Sequence, residues 1–123
     1  METFEKNIET IKVSKHLTKI KEERQVIIHC TYKGFGRIRI WKTTFLVAKN
    51  SKHRSKLIHA ENISLYPEWT VKKVNERGFT LIFTGLPKNC KQFDFIEDIP
   101  EPGGWMVKNI KRNNSDVYSI DVF

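Results

Sequence analysis

The chain is poor in the residues that covalent or metal chemistry would need. Two cysteines, Cys30 and Cys90, in 123 residues do not make a disulfide framework. The four histidines, His16, His29, His53 and His59, show neither His-x-x-x-His nor Cys-x-x-Cys spacing, so no metal or other cofactor is expected. With 4 prolines and 6 glycines there is no linker, repeat or low-complexity tract. Residues 1–123 therefore read as a single domain. No run approaches the roughly 18 apolar residues of a membrane span. The opening METFEKNIETIKVSK has no apolar stretch of about 7–15 residues, as a secretory signal would. The expectation is a cytoplasmic protein with two reduced thiols, Cys30 buried and Cys90 more accessible. Carboxylates are outnumbered, with 14 Asp and Glu against 22 Lys and Arg, a formal charge of +8. That balance favours nucleic acid, anionic lipid or acidic protein as partners, and solubility alone also accounts for it.

What is present is aromatic and β-branched. Eight Phe, three Trp and three Tyr argue against disorder. Short apolar segments recur between turn signals: Asn7–Val13, Val26–Tyr32, Arg37–Val47, Leu57–Leu65, Phe79–Thr84, Phe93–Ile96, Trp105–Ile110 and Val117–Val122. No interval offers a helix of about 10–15 residues, so about eight strands in an all-β, antiparallel sandwich are predicted. Strand alternation puts Phe79, Leu81 and Phe83 on one face and lets Phe93 and Phe95 share another. It also places Phe35, Arg37, Arg39 and Trp41 on one face, with Ile38 and Ile40 on the other. The pattern breaks near Lys42-Thr43-Thr44, where a bulge or a passage between sheets is expected.

The order Ala60-Glu-Asn-Ile63, Phe79-Thr-Leu-Ile-Phe83, Leu86-Pro-Lys88, Phe93-Asp-Phe-Ile-Glu97 and Asn109-Ile110 resembles a group of small, uncharacterised bacteroidete domains. The resemblance covers roughly Val26 to the C-terminus. It implies an immunoglobulin-like β-sandwich of bacterial origin. It also implies an envelope location as the alternative, because some of these domains are accessory parts of larger envelope proteins. It brings no catalytic residue with it.

Candidate chemistry is sparse. His29 and Cys30 are strand neighbours and point to opposite faces, so they form no nucleophilic pair. Asp94, Glu97, Asp98 and Glu101 form an acidic cluster that a hydrolase would use as paired carboxylates. Alternation sets Asp94 and Glu97 on opposite faces, which favours solvated strand ends paired with Lys91 or Lys108. Arg37, Arg39 and Trp41, followed by Lys52, Arg54 and Lys56 in a basic loop over residues 49–56, suit a single-stranded nucleic acid, with charge tracking phosphate and the ring stacking a base. The competing expectation buries Trp41 between the sheets, so that its loss lowers stability. Trp69 and Trp105, each beside a Pro- or Gly-containing loop, are further anchors for a protein contact. The leading expectation is a non-catalytic binding or accessory module with a protein or glycan partner. A basic single-strand binder is the alternative, and a hydrolase using the cluster from Asp94 to Glu101 is a weaker one.

Overall fold

The computed structural model describes residues 24–123, which form nine strands and no helix. The expected strand Asn7–Val13 lies outside the described residues. Strands form where apolar residues alternate. In β1 (Val26–Tyr32) Val26, Ile28 and Cys30 are buried, and in β6 (Gly78–Phe83) Phe79, Leu81 and Phe83 are. In β9 (Val117–Val122) the buried set is Tyr118, Ile120 and Val122. Burying each such aliphatic or Phe side chain contributes about 1.5–3 kcal/mol, so these faces drive the fold.

The remaining strands are β2 (Gly36–Ile38), β3 (Thr44–Ala48), β4 (Arg54–Glu61), β5 (Thr70–Lys72), β7 (Gln92–Glu97) and β8 (Met106–Lys111). Seven of the nine join in the order β8-β7-β3-β4-β6-β1-β9, while β2 and β5 form a separate ribbon. All pairings are antiparallel except β1 with β9. β4 belongs to both halves of the main sheet. Its first residues pair with β3, and from Leu57 onward it pairs with β6. A register shift between Leu57 and His59 bends it at the crossing. The edge strands β8 and β9 come back into contact, so the fold is sandwich- or barrel-like. Phe83 and Phe95, in opposite halves, meet edge to face at 6.2 Å in the core.

Two expectations about strands need correcting. Arg37–Val47 is not one strand. β2 ends at Ile38, Ile40 bridges Leu65, and a turn at residues 41–43, held by the Thr44 hydroxyl on the Trp41 carbonyl at 2.6 Å, delivers the chain to β3. The break in alternation is thus a passage from the ribbon into the main sheet. The basic loop is also shorter than expected. Arg54 and Lys56 lie on β4, and the turn is made at Asn50, whose φ of 60° asparagine tolerates well.

Candidate functional site

The ribbon builds an outward ladder of cations and rings. Arg37 and Arg39 share its solvent face, and Ile38 and Ile40 are buried beneath. β5 pairs Arg37 with Val71 and Ile38 with Thr70, so Trp69, one residue earlier, comes opposite Arg39. The Arg39 guanidinium lies 3.8 Å over the Trp69 ring and 4.6 Å over Tyr66, and that of Arg37 lies 4.5 Å over Trp69. Tyr66 then stacks on Trp41 with ring centroids 3.8 Å apart. The backbone fixes this neighbourhood. The Ile40 N–H donates to the Ser64 carbonyl at 2.9 Å, and the Tyr66 N–H donates to the Ile40 carbonyl at 2.8 Å. Arg39 also donates to the Pro67 carbonyl at 3.1 Å. Trp69 keeps 44% of its surface and Tyr66 47%, and Phe35, Val71 and Val74 beside them are more exposed still.

Beneath the ladder sits Glu97. Its carboxylate accepts the Trp41 N–H at 3.3 Å and the Trp105 N–H at 3.1 Å, joining the ladder to the loop that follows β7. Burial pushes the Glu97 carboxyl above its ordinary value. The two backbone N–H groups and the charge of Arg39 oppose that rise, and Glu101 adds to it. The Pro100–Gly104 loop must pass close, because a methyl at Gly104 would collide with the Glu97 carbonyl oxygen.

The structure brings Arg37, Arg39, Trp41 and Trp69 together. It adds Tyr66, which only its neighbouring Pro and Trp hinted at. Trp105 joins the first four along one shallow cleft, whereas Lys52, Arg54 and Lys56 lie elsewhere. Trp105 is half-buried, packing its ring on Phe79 at 5.6 Å and donating its indole N–H to the Phe123 carbonyl. Trp41 is half-buried and outside the core, not sandwiched between sheets, because the alternation that exposes Arg37 and Arg39 carries it to the same side. Lys52 and Arg54 lie toward the Ala48 end of β3, away from Trp41, and Lys56 pairs with Phe45.

Other expected chemistry is spoken for. Asp94 pairs with Lys49 at 3.2 Å, not with Lys91 or Lys108. It also accepts the Asn109 N–H at 2.8 Å, where the φ of 60° at Asn109 turns that N–H inward. Cys90 is the more accessible thiol, as expected, at 8% against 2% for Cys30, yet it too is buried, with its thiol on the Gln92 carbonyl at 3.1 Å. Burial raises the pKa of both thiols, that of Cys30 to about 12. His53 rests against the Gly85 carbonyl at 3.0 Å.

A second polar centre was not anticipated. Asp116, fully buried, accepts two bonds from Arg112 at 3.0 Å, one from Arg24 at 3.1 Å and the Tyr118 hydroxyl at 2.9 Å. Burial pushes its carboxyl up, but these hydrogen bonds and the Arg112 charge outweigh that and hold it below its ordinary value. Arg112 further donates to the Pro87 and Cys90 carbonyls, pinning the Leu86–Cys90 loop. The only forewarning is the spacing of four between Arg112 and Asp116.

No family model, curated protein or solved structure matches this chain. Among the described residues, no helix is long and apolar enough to cross a membrane.

Proposed function

We propose that this domain is a non-catalytic binding module whose ladder face engages a protein partner. The carrying observation is the preassembled Arg37–Trp69–Arg39–Tyr66–Trp41 stack beside exposed Phe35, Val71 and Val74. Trp, Tyr and Arg dominate the energetic centres of protein interfaces, and stacking already removes much of the side-chain freedom that binding would cost. Both guanidinium groups lie over Trp69, which offers cations and ring edges more than a bare face for a sugar or base. The unused guanidinium donors suit a carboxylate on the partner. A non-catalytic role is part of this reading. Asp94 and Glu97 sit on opposite faces of β7 and are each engaged by backbone N–H groups, and both thiols are buried.

The resemblance to immunoglobulin-like bacterial domains is supported by strand order: β3-β7-β8 and β1-β6-β4 pair as strands C-F-G and B-E-D do in immunoglobulin domains. Two features depart from that pattern: β9, last in the chain, takes the place beside β1 in parallel, and β4 also pairs with β3.

Selection of binders from a random peptide library tests the proposal, with counter-selection on a variant carrying Arg37→Ala and Trp69→Ala. Peptides rich in acidic and aromatic residues are expected, each losing at least about tenfold in affinity for the variant. Peptides that bind both proteins equally would refute the ladder as the site. So would a glycan that binds the wild type and is lost in the variant.

A further inference from the structure

The end of the molecule opposite the ladder is basic. β3, β7 and β8 connect the two ends: Thr44 and Glu97 pair near the ladder, while Ala48 pairs with Phe93, and Gln92 with Lys111, at the far side. Two adjoining clefts of about 580 and 750 Å³ open there and share Cys90, Lys91 and Lys111. Arg24, Lys88 and Arg112 also line the first, and Lys49 the second. No carboxylate lines either cleft among the described residues. The two that lie behind them, Asp94 and Asp116, are already bound by Lys49 and by Arg112 with Arg24. Six cationic side chains thus meet two carboxylates, and Lys91 and Lys111 stand exposed at the point where the clefts join.

We propose that this joined track binds the phosphodiester backbone of a nucleic acid without reading its sequence. Two clefts sharing a wall make an elongated path, whereas a single phosphate would call for one convergent pocket. The neutral polar lining, from Ser51, Asn89 and Asn114, supplies the amide and hydroxyl groups that ordinarily accompany Lys and Arg on phosphate oxygens. No aromatic side chain lines the track, so it has no platform on which to stack and discriminate bases. An anionic membrane is disfavoured because these cations line concave walls rather than a projecting surface. The site is separate from the ladder and does not depend on the protein-binding reading.

The test is fluorescence anisotropy of the full chain with a labelled oligothymidylate of about 16 nucleotides and with a duplex of equal length. The wild type is expected to bind at low salt, with log K falling linearly as log salt rises. Lys91→Glu with Lys111→Glu should weaken binding at least about tenfold and flatten the single-strand salt slope by about 1.4, two phosphate contacts' worth. Lys42→Glu with Lys73→Glu makes the same change in net charge on exposed residues of the ladder end. It should leave affinity within about threefold, as expected where long-range charge is screened. Equal losses in the two variants would overturn the proposal, since net charge alone would then explain binding. No wild-type binding at low salt would overturn it too, as would binding only to phosphatidylserine vesicles. If the reversal unfolds the protein, Lys91→Ala with Lys111→Ala carries the same comparison, with a smaller expected loss.

Discussion

The two ends of this domain hold their arginines in opposite ways. At one end Arg112 is largely buried and forked onto Asp116, and its remaining donors pin the 86–90 loop. At the other end Arg37 and Arg39 lie on aromatic rings at the surface. The same side chain thus serves as an internal tie or as a displayed group. Its neighbour decides which: a carboxylate four residues along, or a ring across the ribbon. The tie contributes stability, and the display contributes a surface.

The sharpest way to break that comparison is to remove the tie. Asp116→Asn leaves Arg112 buried without its counter-charge, and unfolding in urea should show a loss of about 3–5 kcal/mol. A loss below about 1 kcal/mol would mean that the pair is no more than a surface ion pair. Gly104→Ala comes next, because its methyl meets the Glu97 carbonyl. Overpacking of this kind costs about 1–3 kcal/mol, and a melting temperature equal to wild type would show that the loop is free to shift.

Acid separates the ends by sign. Asp116 is held below its ordinary value, so its contribution is full above its unfolded pKa of about 3.9 and is lost as pH falls through the lower folded value. Glu97 is raised, so its contribution is full below about pH 4.3 and is lost as pH rises through the higher folded value. Glu97→Gln should abolish the second dependence. It should also cost about 1 kcal/mol at neutral pH, because the amide has one acceptor oxygen where Glu97 uses two, one for the Trp41 N–H and one for the Trp105 N–H. Urea melts at several pH values check this, and a variant that keeps the wild-type slope above pH about 4.3 would contradict it. The smallest effect belongs to the display. Trp69→Ala should lower stability by less than about 1 kcal/mol, the scale of an exposed cation–π contact. A thermal melt showing a loss above about 3 kcal/mol would place Trp69 with the core residues instead.

Much of this was legible in the order of residues, for a physical reason. Phe79, Leu81 and Phe83 announce a half-buried strand, and Arg37, Arg39 and Trp41 announce an outward face, because a period of two survives in any strand long enough to show it. β5 stayed hidden. Three residues carry no period, and its central Val71 faces solvent while the polar Lys72 is buried, its ammonium on the Gly78 carbonyl at 3.0 Å. The ladder was half visible for the same reason. Which face Arg39 occupies follows from its own strand, but its contact with Trp69 follows from a register set by a distant segment. Asp116 was missed because no local pattern tells a solvated turn carboxylate from one enclosed by Arg24, Arg112 and Tyr118. How deep Cys90 lies was hidden in the same way, since loop residues are ordinarily exposed and this loop is held inward by Arg112.

The parallel pairing of β1 with β9 has a mechanical consequence. Six residue pairs, from Ile27 with Val117 to Tyr32 with Val122, join two strands that run the same way. Force applied between the start of β1 and the end of β9 slides one strand along the other and loads every bond of that ladder at once. Force that peels β8 from β7 at its free end opens an antiparallel pair one bond at a time. Single-molecule pulling along the first direction should therefore meet a higher yield force than peeling along the second, and equal forces in both would show that the shared ladder carries no shear. The domain is built to resist being stretched end to end and to give way when pried open from its edge.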